Sequence, residues 1–210
     1  MKMSYTTLGC TLATLGLLCG SGCADDLSRE LNPPGTPEVP EPSDHVVSNV
    51  ESGGSISSRV DASSMTAWIY FQFAGGKEVT PQDPQSSPAW DLGFQRYQIK
   101  VNGGVSGAAG VEVALVTGTP FDSLLFAPSS GYVTDQPPAG GAPMEPSYAF
   151  TQSGTWYDYN PNTHILTPKE QVYVVHSQAG AYFKLQVTGY YDKAGSAGYP
   201  VLRWKAIMAP

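Results

Sequence analysis

Residues 154–191 read GTWYDYNPNTHILTPKEQVYVVHSQAGAYFKLQVTGYY, and this stretch limits the choice of fold more than any other. Residues 155–159 are aromatic and strand-favouring, and Asn160-Pro161-Asn162 breaks the run because proline has no N–H for a ladder. Val172–His176 and residues 181–188 follow as two further strands, separated by Ser-Gln-Ala-Gly, which suits a short hairpin loop. In the second of these, Phe183, Leu185 and Val187 alternate with Tyr182, Lys184, Gln186 and Thr188, which predicts one buried and one wet face. Symmetric closure of the loop would set Val174 opposite Phe183 and Val172 opposite Leu185.

The rest of the chain agrees with an all-β reading. No stretch of ten or more residues has helical periodicity. Residues 67–73 (AWIYFQF) are apolar on both faces, as in an interior strand, and are followed by a turn at Ala74-Gly75-Gly76-Lys77. Residues 90–101 (WDLGFQRYQIKV), 111–117 and 199–207 read as further strands. Residues 118–153 lack regular pattern, and 136–146 (QPPAGGAPMEP) form an irregular excursion of the kind that is often functional. The glycines of 102–110 (NGGVSGAAG) resemble a dinucleotide loop only superficially, because VEVALV follows where a phosphate-binding helix would have to start.

The formal charge of -7 on 210 residues argues against nucleic acid, whose binding surfaces need clustered Lys and Arg. All three cysteines fall within the first 23 residues. Lys2 followed by an apolar run over 8–19 reads as a secretory signal, and Gly20-Ser21-Gly22-Cys23 resembles a bacterial lipobox, with Gly20 where leucine is usual. The expected organisation is a signal peptide over 1–22, a Pro-rich tether over 23–54 carrying lipid on Cys23, and a β domain over 55–210. Ala24 after the cysteine suits sorting to the outer membrane. His45 reads as a solvated histidine at the end of the tether.

Ala67-Trp68-Ile69-Tyr70, Trp90-Asp91-Leu92-Gly93-Phe94-Gln95-Arg96, Asn102-Gly103-Gly104-Val105-Ser106-Gly107 and Trp156-Tyr157-Asp158-Tyr159 occur in that order, followed by residues 172–175 and 184–191. As an ordered set, covering roughly 60–207, they resemble the HmuY-like haem-binding lipoproteins. The resemblance implies an antiparallel, hand-shaped β domain on the bacterial surface, holding haem between two loops and passing it to an outer-membrane receptor. It also implies two axial side chains, His or Met, one from each loop. The first loop corresponds to 136–147, where Met144 is the soft donor, and the second follows WYDY, where His164 is the nearest imidazole. A Met/His pair is adequate for haem iron. The alternative is a surface binding or adhesion module on the same scaffold without iron ligands, taking glycan or protein on Tyr157, Tyr159 and Tyr182.

Other polar residues read as structural. His176 belongs to the hairpin, Asp91 pairs locally, and Asp158 is a surface or turn residue. No serine stands in a nucleophile elbow, the three histidines have no zinc spacing, and Asp91 lacks a partner carboxylate, so no enzyme is expected.

Overall fold

The computed structural model describes residues 45–138, 145–152 and 154–210. Among the described residues twelve strands run in chain order: β1 (Val46–Val50), β2 (Ile56–Val60), β3 (Ile69–Gln72), β4 (Lys77–Val79), β5 (Leu92–Gln95) and β6 (Gln98–Val101). They continue with β7 (Glu112–Val116), β8 (Tyr157–Asn160), β9 (Ile165–Pro168), β10 (Val172–His176), β11 (Tyr182–Tyr191) and β12 (Ala197–Ile207). A six-stranded sheet has the order β1-β2-β12-β11-β10-β7, a four-stranded sheet β4-β3-β5-β6, and β8-β9 form a separate ribbon. Every pairing of named strands is antiparallel. The only helical pieces among the described residues are a 3-10 turn at Phe121–Ser123 and α1 (Ala149–Gln152).

One core lies between the two larger sheets. Ile69, Phe71, Leu92, Phe94, Ile99 and Val101 meet Val175, Phe183, Leu185, Val187, Leu202 and Trp204. Phe73 stacks on Phe183 at 4.5 Å between ring centroids, and Trp204 stands edge-on to both at 5.2 and 5.6 Å. Such aromatic pairs add to the burial of large apolar area. The Trp204 indole N–H would be costly to bury without a partner; it donates to Ser58 Oγ at 2.8 Å.

The long hairpin β10-β11 forms, but one residue out of the expected register. Val175 faces Phe183, Tyr173 faces Leu185, and Val174 faces Lys184. The turn explains the shift. Ser177 and Ala181 close the loop, with Ser177 N–H donating to Ala181 O at 2.8 Å and Gly180 N–H to Ser177 O at 2.9 Å. Gly180 sits at φ 76°, the left-handed residue that a three-residue loop requires. Phe183 and Leu185 still point into the core, but the opposite face is covered around Lys184 and exposed only at Thr188. Phe121, Leu124 and Ala127 cover Val172 and Val174 there, and Lys184 is 3% exposed.

Two further differences bear on the ends of elements. Residues 90–101 are two strands, turned at Arg96-Tyr97 with Arg96 at φ 52°. No glycine or asparagine marks the turn. Arg96 is held there by its N–H to Ala62 O (2.8 Å) and its Nη1 to Ser63 O (3.2 Å) and Ala197 O (3.0 Å). The six-stranded sheet also begins before residue 55: β1 lies within the stretch expected as tether and pairs along its whole length with β2. His45, expected to be solvated, leads into β1 and pairs through Nδ1 with Glu78 Oε1 at 3.2 Å.

Candidate functional site

The last three residues of the WYDY motif and Asn160 make β8, and its partner β9 completes a hairpin through residues 161–164. Asn160 builds the turn: its Oδ1 accepts from Asn162 N–H (2.9 Å) and Thr163 N–H (3.3 Å), and its carbonyl accepts from His164 N–H (2.8 Å). His164 occupies the left-handed region at φ 56°, where asparagine and histidine are among the better-tolerated side chains. Its ring is tilted against Tyr159, with centroids 6.0 Å apart, and Nδ1 hydrogen-bonds to the Tyr159 hydroxyl. His164 is exposed, and in the tautomer that donates from Nδ1 to that hydroxyl the Nε2 lone pair is free. A fixed second nitrogen of this kind is how ligating histidines are oriented.

The surface beside the imidazole is aromatic. Tyr157 and Tyr159 share one face of β8, and Tyr157 meets Tyr97 of the β5-β6 turn at 5.8 Å. Tyr159, Tyr97 and Ile165 are each about half exposed (50%, 46% and 48%). Burial and the neighbouring Tyr97 push the Tyr157 phenol up, so it stays neutral. Beneath the hairpin, buried Trp156 donates its indole N–H to Tyr97 O at 2.9 Å and packs on Tyr190. Leu166 N–H donates to Tyr191 Oη at 2.9 Å. The hairpin is thus seated on the far end of β11, away from the β10-β11 turn.

The second expected element, the excursion over 136–147, is closed at its base by an antiparallel bridge between Gln136 and Ser147. Met144 lies outside the described residues, as does Cys23. Below the base sits Asp135, a residue that sequence reading passed over. It is fully buried, accepting from Ala149 N–H at 2.7 Å and Val101 N–H at 3.1 Å. Burial raises its carboxyl to about 6 in spite of hydrogen bonds from Ser106, Ala149 and Val101 and the charge of Lys100. The glycine-rich segment 102–110 wraps this node. A Cβ on Gly104 would lie 1.9 Å from Asp135 O, one on Gly103 2.1 Å from Val111 O, and one on Gly107 2.0 Å from Asn102 Oδ1. These glycines serve close backbone approach, not a phosphate.

Lys100 stands beside that node in a cage of rings. Its Nζ lies 4.2 Å from the Trp68 centroid, 4.8 Å from Tyr70 and 5.3 Å from Trp90, and donates to Tyr70 Oη at 3.2 Å. Burial lowers this amine to about 8, with Asp135 opposing. Trp68 in turn stands edge-on to Tyr148 at 5.8 Å, just past the excursion.

The remaining polar residues are architectural. His176 stacks on Tyr182 at 4.4 Å and pairs with Glu112 at 3.1 Å, within the sheet. That stacking also removes Tyr182 from the set of free surface rings. Asp91 is buried and takes Phe73 N–H at 2.8 Å and Gln178 N–H at 2.9 Å, tying the hairpin loop to the four-stranded sheet. Asp91 therefore does not pair locally as expected: its partners are 18 and 87 residues away. Asp158 is exposed and lies 3.5 Å from Lys169. Among the described residues, no three His, Cys, Asp or Glu side chains cluster so as to hold a metal ion, and no helix is long and apolar enough to cross a membrane.

A family model described as HmuY protein matches residues 64–204, well over half of the chain. Comparison with curated proteins returns no match. Among solved structures, the apo HmuY analog of Tannerella forsythia superposes with a TM-score of 0.55 at 16% identity, covering 77% of this chain and 96% of its own. A candidate HmuY-like heme-binding protein of Bacteroides vulgatus gives 0.55 at 19%, covering 76% and 96%. A candidate lipoprotein of Bacteroides fragilis gives 0.54 at 19%, covering 76% and 93%. These likenesses establish the antiparallel β fold, and with the match of the family model they place the chain in the HmuY family.

Proposed function

We propose that this chain is a haem-binding lipoprotein of the cell envelope, anchored through Cys23 and serving haem acquisition. The observation that carries the reading is His164, whose Nδ1 is engaged by Tyr159 while Nε2 remains available beside a half-exposed aromatic surface. An imidazole with one nitrogen fixed and an apolar, ring-rich flank fits a flat porphyrin with a central metal. The haem iron, when bound, supplies the coordination chemistry. His164 would provide one axial nitrogen, Met144 of the 136–147 excursion the axial sulfur, and Tyr97, Tyr157 and Tyr159 the apolar contact. The HmuY family match and the heme-binding description of the Bacteroides vulgatus neighbour support this reading. Such a protein binds and passes on a cofactor without chemistry of its own, so no catalytic residue is assigned.

Titrating purified protein with haemin tests it. His164→Asn keeps a residue that tolerates the left-handed backbone and removes the imidazole. That variant and Met144→Ala should each weaken haemin binding at least about tenfold, equivalent to about 1.4 kcal/mol. His176→Ala should bind as wild type. Absence of haemin binding by the wild type would move the assignment to a surface module that uses the same exposed aromatics for another ligand.

A further inference from the structure

The outer face of the six-stranded sheet holds a feature that haem binding does not use. A cleft of about 400 Å³ opens between the 3-10 turn and the end of β12, within the size range of small-molecule sites. Lys184 lies in its wall, almost wholly buried, where a lysine is rare unless paired. Among the described residues no carboxylate approaches its ammonium within 4 Å. Its Nζ donates instead to Phe121 O at 2.6 Å and Leu124 O at 3.0 Å and lies over the Phe121 ring. An ammonium has three N–H groups, so one remains for a ligand.

The surroundings define that ligand. Arg203 and Lys205 also line the cleft. Asp122 (2.7 Å) and Glu51 (3.6 Å) both pair with Arg203, while Lys205 is bonded to Gly53 O at 2.7 Å. Three cations thus face two carboxylates, a local positive excess on a chain whose formal charge is -7. The opposite wall is apolar. Leu125 and Met208 are 57% and 52% exposed and are locked together by Met208 N–H donating to Leu125 O at 3.0 Å. Phe126, 56% exposed, extends the same rim through its bridge to Met208. Large apolar side chains grouped at the mouth of a cleft mark a binding surface. Lys184 is seven residues from Tyr191, which holds the β8-β9 hairpin, roughly 20 Å along β11. The two sites are therefore separate.

We propose that this cleft binds a small amphipathic monoanion, its acidic head on Lys184 and its apolar tail along Leu124, Leu125 and Met208. Decanoate is the probe, with 1-decanol as its uncharged counterpart, and calorimetry reads binding to the purified chain carrying Cys23→Ser. Decanoate should bind at least tenfold more tightly than decanol, and Lys184→Met should remove most of that preference. Because Lys184→Met leaves two carbonyls without a donor, Leu125→Glu provides a second variant at an exposed position. It should weaken decanoate at least tenfold with an unchanged melting temperature. His164→Asn should leave decanoate binding intact, so failure of the haem reading and failure of this one can be told apart. Equal binding of decanoate and decanol, or no binding of either, would overturn the proposal, as would full affinity in Leu125→Glu.

Discussion

Asp135 is an acid held wholly inside the protein at the base of the excursion that carries Met144. Its carboxyl is raised to about 6, chiefly by burial. Folded protein therefore keeps a proton that the unfolded chain releases near pH 4, and the linkage relation makes its contribution to stability fall as pH rises from about 4 to 6. Two pH units correspond to at most about 3 kcal/mol. Lys100, lowered to about 8, titrates above that window. Asp135→Asn removes the titration while keeping one acceptor, so the wild type's advantage over the variant should be larger at pH 4.5 than at pH 7.5. Urea unfolding at both values checks this; a pH-independent difference, or a larger one at pH 7.5, would contradict it. Nothing in the sequence flags Asp135, because its partners Val101 and Ala149 are 34 and 14 residues away. His164 was readable as the imidazole following WYDY, whereas its clamp by Tyr159 depends on a turn that only the fold supplies.

At the scale of elements, the β10-β11 hairpin shows where alternation suffices and where it does not. Phe183 and Leu185 face the core as their parity requires, and Phe183→Ala should lower stability by about 3–5 kcal/mol. The pattern could not show that the 3-10 turn covers the other face, so Lys184, readable as a surface lysine, is buried. Lys184→Ala should therefore lower stability by about 1–3 kcal/mol, through the stranded carbonyls of Phe121 and Leu124 and the space left behind. Burial lowers the Lys184 amine, with Asp122 opposing. Denaturant melts of both variants decide the point; a loss of under about 0.5 kcal/mol for Lys184→Ala would return that face to solvent. Strands β3, β5 to β8 and β10 to β12 were legible from β-branched and aromatic runs, whereas β1, β2, β4 and β9, short and without such runs, were not. Register was not, because Ser-Gln-Ala-Gly permits either closure and the choice falls to the left-handed Gly180. The split at Arg96 was equally hidden, since its hydrogen bonds to the carbonyls of Ala62, Ser63 and Ala197 hold a side chain where a glycine would be looked for.

For the whole molecule, the order of motifs from Trp68 to Tyr191 was enough to identify the family, and the antiparallel sheets agree with it. Two proposals belong at this scale. The first is anchoring: Cys23→Ala should move the protein out of the membrane fraction, and wild-type membrane levels of that variant would contradict lipidation at Cys23. The second is haem. The account rests on an iron held between an imidazole on the β8-β9 hairpin and a thioether in the 136–147 excursion, and the visible absorption spectrum of the haemin complex reports that ligand pair directly. A Met/His pair should give low-spin iron with a sharpened Soret band and separate visible bands. His164→Asn and Met144→Ala should each convert it to a five-coordinate spectrum, and the double variant should lose the specific complex. A wild-type spectrum retained by the double variant would contradict the account.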